Sequence, residues 1–440
     1  MTCISSSRVR NNGNTLARTL RVAIFVCLAG LVSCGEQMAK SALVLGPLTY
    51  GISYDVRPDP ANKTVDVTLT LNQSSALLLE MTMRVDSRTS SFKADGALDV
   101  RADTVTWRPP ANGGKISWQV SVPHKRNTNG YDAWLDRQWG LFRAEDIIPR
   151  VSARTRKGAT SETQMRFAVP SGWSLVTEYF GENNQFKIDN PARRFDQPNG
   201  WIVMGELGVR RENIAGVRVA IAGPVDNNVR RMDTLALLRW TLPEVSRIFP
   251  DMPARLTIVS AGDPMWRGGL SAPQSLFIYS SRPLISENAT STLLHEVMHL
   301  LLRLSADDGY DWIVEGLAEF YSLEILHRSG TISDERYAVA RADTAEWASS
   351  ATDLCLPVSS GATTALAVTI LDALNDEIKE RTDGVASLDD VARTLRHADK
   401  DVDLAMLIDI VEQLVGDKSD ALHIDKLPGC RSIATVNRNT

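Results

Sequence analysis

At 440 residues, 43% of them hydrophobic, the chain is long enough to bury a large core and to divide into two or three domains. The formal net charge is −5, and setting aside four arginines in residues 1–33, which hold no acid, leaves about −9 on the remainder. That balance, with no basic tract beyond the first segment, argues against a nucleic-acid partner.

The first segment carries Arg8, Arg10, Arg18 and Arg21, followed by an apolar run from Val22 to Val32 that is too short to span a bilayer comfortably. It reads as a targeting segment. The run closes on Leu31-Val32-Ser33-Cys34, which resembles a bacterial lipoprotein signal. The resemblance implies removal of residues 1–33, acylation of Cys34 and a tether over residues 34–48. Gly35, not Asp, follows the cysteine, so the resemblance places the anchor on the periplasmic face of the outer membrane. An ordinary cleaved signal with an incidental Cys34 is the alternative. Only Cys355 and Cys430 then remain, and an oxidising compartment would let them form one disulfide or leave two buried thiols.

Residues 49–210 read as β. Thr64-Val65-Asp66-Val67-Thr68-Leu69-Thr70-Leu71 and Ile116-Ser117-Trp118-Gln119-Val120-Ser121-Val122 alternate with period two, and Asp59-Pro60, Pro109-Pro110 and Asn199-Gly200 punctuate the runs. An antiparallel β-sandwich is expected.

The period changes in residues 211–332. Strands are predicted at 217–222 and 254–260 around a helix at 232–248, then Gly268-Gly269-Leu270 and a strand at 275–280. That last strand is either an ordinary core strand or an edge on which a peptide main chain could dock. A helix predicted to start near Ser286-Glu287-Asn288 carries His295-Glu296-Val297-Met298-His299. Two histidines four apart share one helical face, so both imidazoles reach one cation, and the adjoining Glu296 can take a proton from a metal-bound water. Asp311 is predicted to cap a second helix over 312–328, which brings Glu315 alongside as third ligand. Two His and one Glu with a fourth position open make a catalytic zinc set. Glu319, one turn beyond Glu315, is the candidate to orient a ligand histidine. Glu324 lies off that face and is expected at the surface. The alternative is a buried helix with two satisfied core histidines, but the apolar residues on all sides (Leu293, Leu294, Val297, Met298, Leu300) favour a metal as partner for the polar ones. Residues 333–440 read as helical, at 334–349, 363–380, 387–397 and 404–415.

Taken together, His295-Glu296-x-x-His299 and Trp312-x-x-Glu315-Gly316 resemble the gluzincin metallopeptidases of clan MA, thermolysin-like and aminopeptidase-type enzymes among them. Tyr54-Asp55-Val56, Gly268-Gly269-Leu270 and Leu371-Asp372 leading to Thr382-Asp383-Gly384 look like the glycyl-aminopeptidase family in particular. The resemblance implies an α+β multidomain chain: a β-sandwich at 49–210, a thermolysin-like mixed catalytic domain at 211–332 and a helical domain at 333–440, without the family's PDZ module. It implies zinc on His295, His299 and Glu315, Glu296 as general base, Glu319 behind a ligand histidine, and a peptide or protein as substrate. Two positions depart from the pattern. Ser271 stands where the family has a glutamate for the substrate's amino group, and Val358-Ser359-Ser360-Gly361 where it has a transition-state tyrosine. Tyr310, Tyr337, His397 and His423 are the remaining candidates for an oxyanion donor. These departures leave open a rival reading, a non-catalytic binding or assembly protein on the same scaffold.

If Cys34 is the anchor, Cys34→Ser moves the protein from the membrane to the soluble fraction; unchanged fractionation would remove the lipoprotein assignment.

Overall fold

The computed structural model describes residues 46, 48–190 and 194–430; the targeting segment, Cys34 and nearly all of the tether lie outside the described residues. Alternation does produce strands. In Thr64–Asn72, Val65, Val67, Leu69 and Leu71 are buried while the residues between them are more exposed. This strand lies within a seven-stranded sheet ordered Gly181–Glu182, Gln185–Ile188, Thr160–Phe167, Thr49–Asp59, Thr64–Asn72, Gly113–Ser121 and Thr89–Ala94. A four-stranded sheet (Val151–Thr155, Leu78–Arg84, Thr104–Arg108, Ala97–Val100) and a five-stranded one (Ser174–Thr177, Trp201–Gly205, Trp139–Arg143, Gly130–Leu135, His124–Asn127) share its core, which holds Tyr50, Tyr54, Trp107 and Phe142.

The pairing is not antiparallel throughout. Thr49–Asp59 runs parallel to Thr160–Phe167, in register from Thr49↔Thr160 to Val56↔Phe167. Period-two alternation reports which face is buried and is blind to strand direction, so a long crossover of this kind leaves no mark in the pattern.

The fourth sheet begins at Leu207, ahead of residue 210. Leu207–Ile214 and Val217–Pro224 form a hairpin closed by Ala215 and Gly216, both with positive φ, the conformation a two-residue type I′ turn needs. Val217–Pro224, Arg255–Ala261 and Ser275–Tyr279 then run parallel, the first two joined through the helix Arg231–Ile248. Arg255–Ala261 is buried at every position, as expected of a central parallel strand. Gly269–Ala272 pairs antiparallel with Ser275–Tyr279 and is the outer strand. The sheet edge is therefore this strand, and Ser275–Tyr279 lies one place inside it.

Helices at Thr292–Leu302, Asp311–Arg328, Asp334–Ala348, Ala362–Arg381, Leu388–Arg396 and Leu404–Val415 complete the chain. They do not separate at residue 333: Leu371, Leu374, Leu395, Leu407 and Leu427 join Leu294, Val297 and Trp312 in one apolar cluster. Gly316 lets two helices close up, since a Cβ there would stand 2.8 Å from that of Ala367. A disulfide joins Cys355 and Cys430, with Cα atoms 5.0 Å apart. No helix among the described residues is long and apolar enough to cross a membrane.

The β sheets meet the mixed sheet through Trp139, Trp201, Val203, Val259 and Phe277. One polar group is caught in this junction. Glu178 is 2% exposed, its Oε2 accepts from the Ser275 hydroxyl at 3.3 Å, and its Oε1 has no hydrogen-bond partner. Burial pushes its carboxyl up to about 8, against the opposing pull of Arg255. A carboxyl raised in the folded state contributes stability that is complete below its unfolded pKa near 4.5 and is lost as pH rises through about 8. Thermal stability should therefore fall between pH 5 and 9 by a few kcal/mol on this account, and Glu178→Gln should flatten that decline. Identical pH–Tm curves for the two proteins would rule the assignment out.

Candidate metal centre

The motif helix begins later than its sequence suggests. Ser286 closes a turn of its own, its hydroxyl accepting from the Thr290 N–H at 3.0 Å, and Ala289 takes a left-handed conformation no helix can contain. The helix starts at Thr292 instead, with the Ser291 hydroxyl accepting from the Leu294 N–H at 3.3 Å. Arg303, at φ 55°, ends it. Eight of its residues are buried, Glu296 among them.

The second helix, Asp311–Arg328, starts one residue earlier than predicted. Asp311 is its first residue and not its cap: the cap position is Tyr310, and the Asp311 carboxylate accepts from the Ser359 N–H at 2.7 Å. That bond ties the Ser359 segment to the helix one turn ahead of Glu315.

The two helices bring the four predicted residues together. His295 Nε2 and His299 Nε2 are 2.9 Å apart, Glu315 Oε1 is 3.3 Å from His299 Nε2, and Glu315 Oε2 is 3.4 Å from His295 Nε2. Behind them, Glu319 Oε2 lies 2.9 Å from His295 Nδ1. This contact fixes the ring: with the Nδ1 proton donated to Glu319, the Nε2 lone pair of His295 is turned toward His299 and Glu315. Four-coordinate zinc with bonds of about 2.0–2.1 Å places its ligand atoms roughly 3.4 Å apart. The donor set fits a metal ion in chemistry and in spacing, and all three ligand atoms lie within 4.8 Å of one another.

Electrostatics follow from burial and pairing. Burial alone would lower the His295 imidazolium, but hydrogen bonds to Glu315 and Glu319 outweigh it and raise the group to about 10. Burial likewise opposes the ionised form of Glu315, and its bonds to His295 and His299 still bring it down to about 2. Glu296 is shifted up, first by burial and against the neighbouring histidines. A buried carboxyl beside a ligand cluster is placed to exchange a proton with whatever occupies the open side.

Two features around Glu296 escape sequence reading. A Cβ built on Gly269 of the edge strand would stand 2.6 Å from Glu296 Cγ, so only glycine lets the strand lie on Glu296. Ser271, in the same strand, is close enough to the Glu296 carboxylate to oppose the upward push of burial. The Gly268-Gly269 pair was the available signal for a close backbone approach.

Other expectations resolve differently. Glu324 is buried and not at the surface, because helices Asp334–Ala348 and Leu388–Arg396 cover that side; it accepts from Arg328 Nε at 2.8 Å and from the Tyr337 hydroxyl. Arg328 continues the network to Asp389 at 2.8 Å. Of the four oxyanion candidates, Tyr337 is committed to Glu324, His423 accepts from the Asp425 N–H in its own turn, and His397 is exposed at the end of its helix. Tyr310 is buried, and its hydroxyl is shifted up first by that burial and then by Asp403 and Asp307.

Similarity to known proteins points to the fold. No protein-family model and no curated protein matches the chain. The crystal structure of an aminopeptidase N family protein from Idiomarina loihiensis is similar at a TM-score of 0.58 with 15% sequence identity, over 88% of this chain and 75% of that one. The chain thus has a mixed α and β architecture, sheet-rich at the N-terminal side and helical at the C-terminal side, like that protein.

Titrating metal-free protein with Zn²⁺ should load one equivalent, and Glu319→Gln should weaken that binding by about 10- to 100-fold while leaving the fold intact. Unchanged affinity would show that Glu319 does not orient His295.

Proposed function

We propose that this chain is a zinc-dependent peptidase of the gluzincin type. The observation that carries the proposal is the convergence of His295, His299 and Glu315 on one point, with Glu296 beside them and Glu319 behind. Zinc held by the three ligands would supply Lewis acidity and bring the pKa of water at the open position to about 7. Glu296 takes the proton of the attacking water and later delivers it to the leaving amine. Glu319 keeps His295 in the tautomer that ligation requires.

The sheet edge suits an extended peptide. The Tyr279 N–H donates to the Gly268 carbonyl at 2.9 Å, so Gly268 and Tyr279 form a hydrogen-bonded pair. By alternation the main-chain groups of Leu270 point inward, and those of Gly269 and Ser271 point out to the open edge. A substrate strand pairing with them would lie next to Glu296. Ser271 carries no charge to hold a substrate's free amino group, which favours cleavage inside a chain over removal of its first residue. The neighbour's description as an aminopeptidase N family protein is consistent with peptidase chemistry on this scaffold. Tethering to the cell envelope through Cys34 belongs to the same proposal.

The rival, a binding or assembly protein that keeps the metal but not the chemistry, is favoured by one observation: Tyr337, His397 and His423 are each engaged or placed elsewhere. Glu296 argues against it, since a purely structural zinc is usually closed by a fourth protein ligand.

Zinc-loaded wild-type protein should hydrolyse members of a mixed peptide library, and Glu296→Gln should lose at least about 100-fold in rate with its zinc retained. Equal inertness of both proteins, each holding zinc, would select the rival.

A further inference from the structure

Beyond the zinc ligands and the base, the edge strand has a second neighbour. Gly269 faces the motif helix, where a Cβ on it would abut Glu296. Successive residues of a strand face opposite sides, so Gly268 faces away from that helix. There it is covered by Trp266: a Cβ on Gly268 would fall 2.2 Å from the indole ring. One strand residue advances about 3.3 Å, which puts this indole on the order of 10 Å from the base carboxylate.

The Trp266 backbone is held from the β side of the molecule. The Trp266 N–H donates to the Tyr131 carbonyl at 2.8 Å, the Tyr131 N–H donates to the Pro264 carbonyl at 3.1 Å, and Gly130 leaves room for the Trp266 backbone, which a Cβ would meet at 2.5 Å. The hairpin that makes these bonds, His124–Asn127 with Gly130–Leu135, lays the Arg126 guanidinium over the Trp266 ring at 4.8 Å and the Lys125 ammonium over Tyr131 at 5.8 Å.

These two cations lack carboxylate partners. Residues 124–130 contain no acid. Asp132 is taken by His124 at 2.5 Å and Arg143 at 3.5 Å, and Asp263 by Arg267 at 3.1 Å and the Tyr279 hydroxyl at 3.0 Å. Among the described residues no carboxylate lies within ion-pair reach of Lys125 or Arg126, and both are exposed. An extended peptide on the edge strand alternates its side chains, one set toward the metal helices and the other toward this hairpin. The chemistry that completes the second set is an anion.

We propose that Arg126 and Lys125, mounted on Trp266 and Tyr131, determine specificity by reading a carboxylate of the bound peptide, on an acidic side chain or at the chain end. The proposal rests on the peptidase reading for the path of the peptide, and its test is separable from that reading. Nonapeptides with Glu fixed at each position in turn, and twins with Gln in its place, are titrated calorimetrically into zinc-loaded Glu296→Gln protein, with free and with amidated C-termini. The Glu form at one or two positions should bind about tenfold tighter than its Gln twin, as expected of a charge-assisted contact. The preference should fall to within about twofold in Lys125→Ala/Arg126→Ala and reverse in Arg126→Glu. A preference that depends only on the free C-terminus identifies the chain end as the carboxylate read. Equal affinities for Glu and Gln twins with either terminus, or no binding by any, overturn the proposal. Hydrolysis of the Gln twins by wild-type protein, measured separately, decides the peptidase reading alone.

Discussion

The buried Glu296 and four partly buried groups, His295, His299, Glu315 and Glu319, sit in an otherwise apolar helix pair and must satisfy one another, and that requirement organises the surrounding structure. His295, partly buried, has a partner at each ring nitrogen, Glu319 on one and the His299–Glu315 pair on the other. Each of these groups needs the others in place. The cost of taking these groups partly out of water is offset only if every member is paired, and a cation at the centre would complete the pairing.

That constraint reaches outward through a few contacts. Gly316, directly after Glu315, lets the Ala362–Arg381 helix press against the second helix. Asp311, a turn before Glu315, holds Ser359, and the Cys355–Cys430 disulfide ties the start of that segment to the C-terminal end of the described chain. On the other side, Gly269 lets the edge strand lie on Glu296, and the Trp201 indole N–H donates to the Leu270 carbonyl at 3.0 Å from the β sheets. The β portion therefore does more than precede the His–Glu cluster in the chain: it sets the position of the strand beside Glu296.

The convergence of His295, His299, Glu315 and Glu319 was legible because helical spacing fixes which residues share a face, whatever packs around them. His295 and His299 needed only the 3.6-residue period, and Glu315 and Glu319 needed only a second helix. Features that depend on long-range packing were not legible. The parallel pairing of Thr49–Asp59 with Thr160–Phe167 leaves the same alternation as an antiparallel one. Ser286 looked like a helix cap, yet its hydroxyl is taken by Thr290. Glu324 looked like a surface acid because its burial depends on helices that begin after it. The role of Ser271 against Glu296 depends on the fold of the edge strand, and the residue alone carries no sign of it.

The central claim is that His295, His299 and Glu315 hold one zinc ion beside Glu296. Anomalous diffraction from crystals of zinc-loaded protein, collected on both sides of the zinc absorption edge, tests it most directly. The account predicts a single strong peak bonded to both histidine Nε2 atoms and to Glu315 at about 2.0–2.2 Å, with Glu296 outside the ligand set. A peak elsewhere, or a zinc whose fourth bond is made by Glu296 or another side chain, would contradict it.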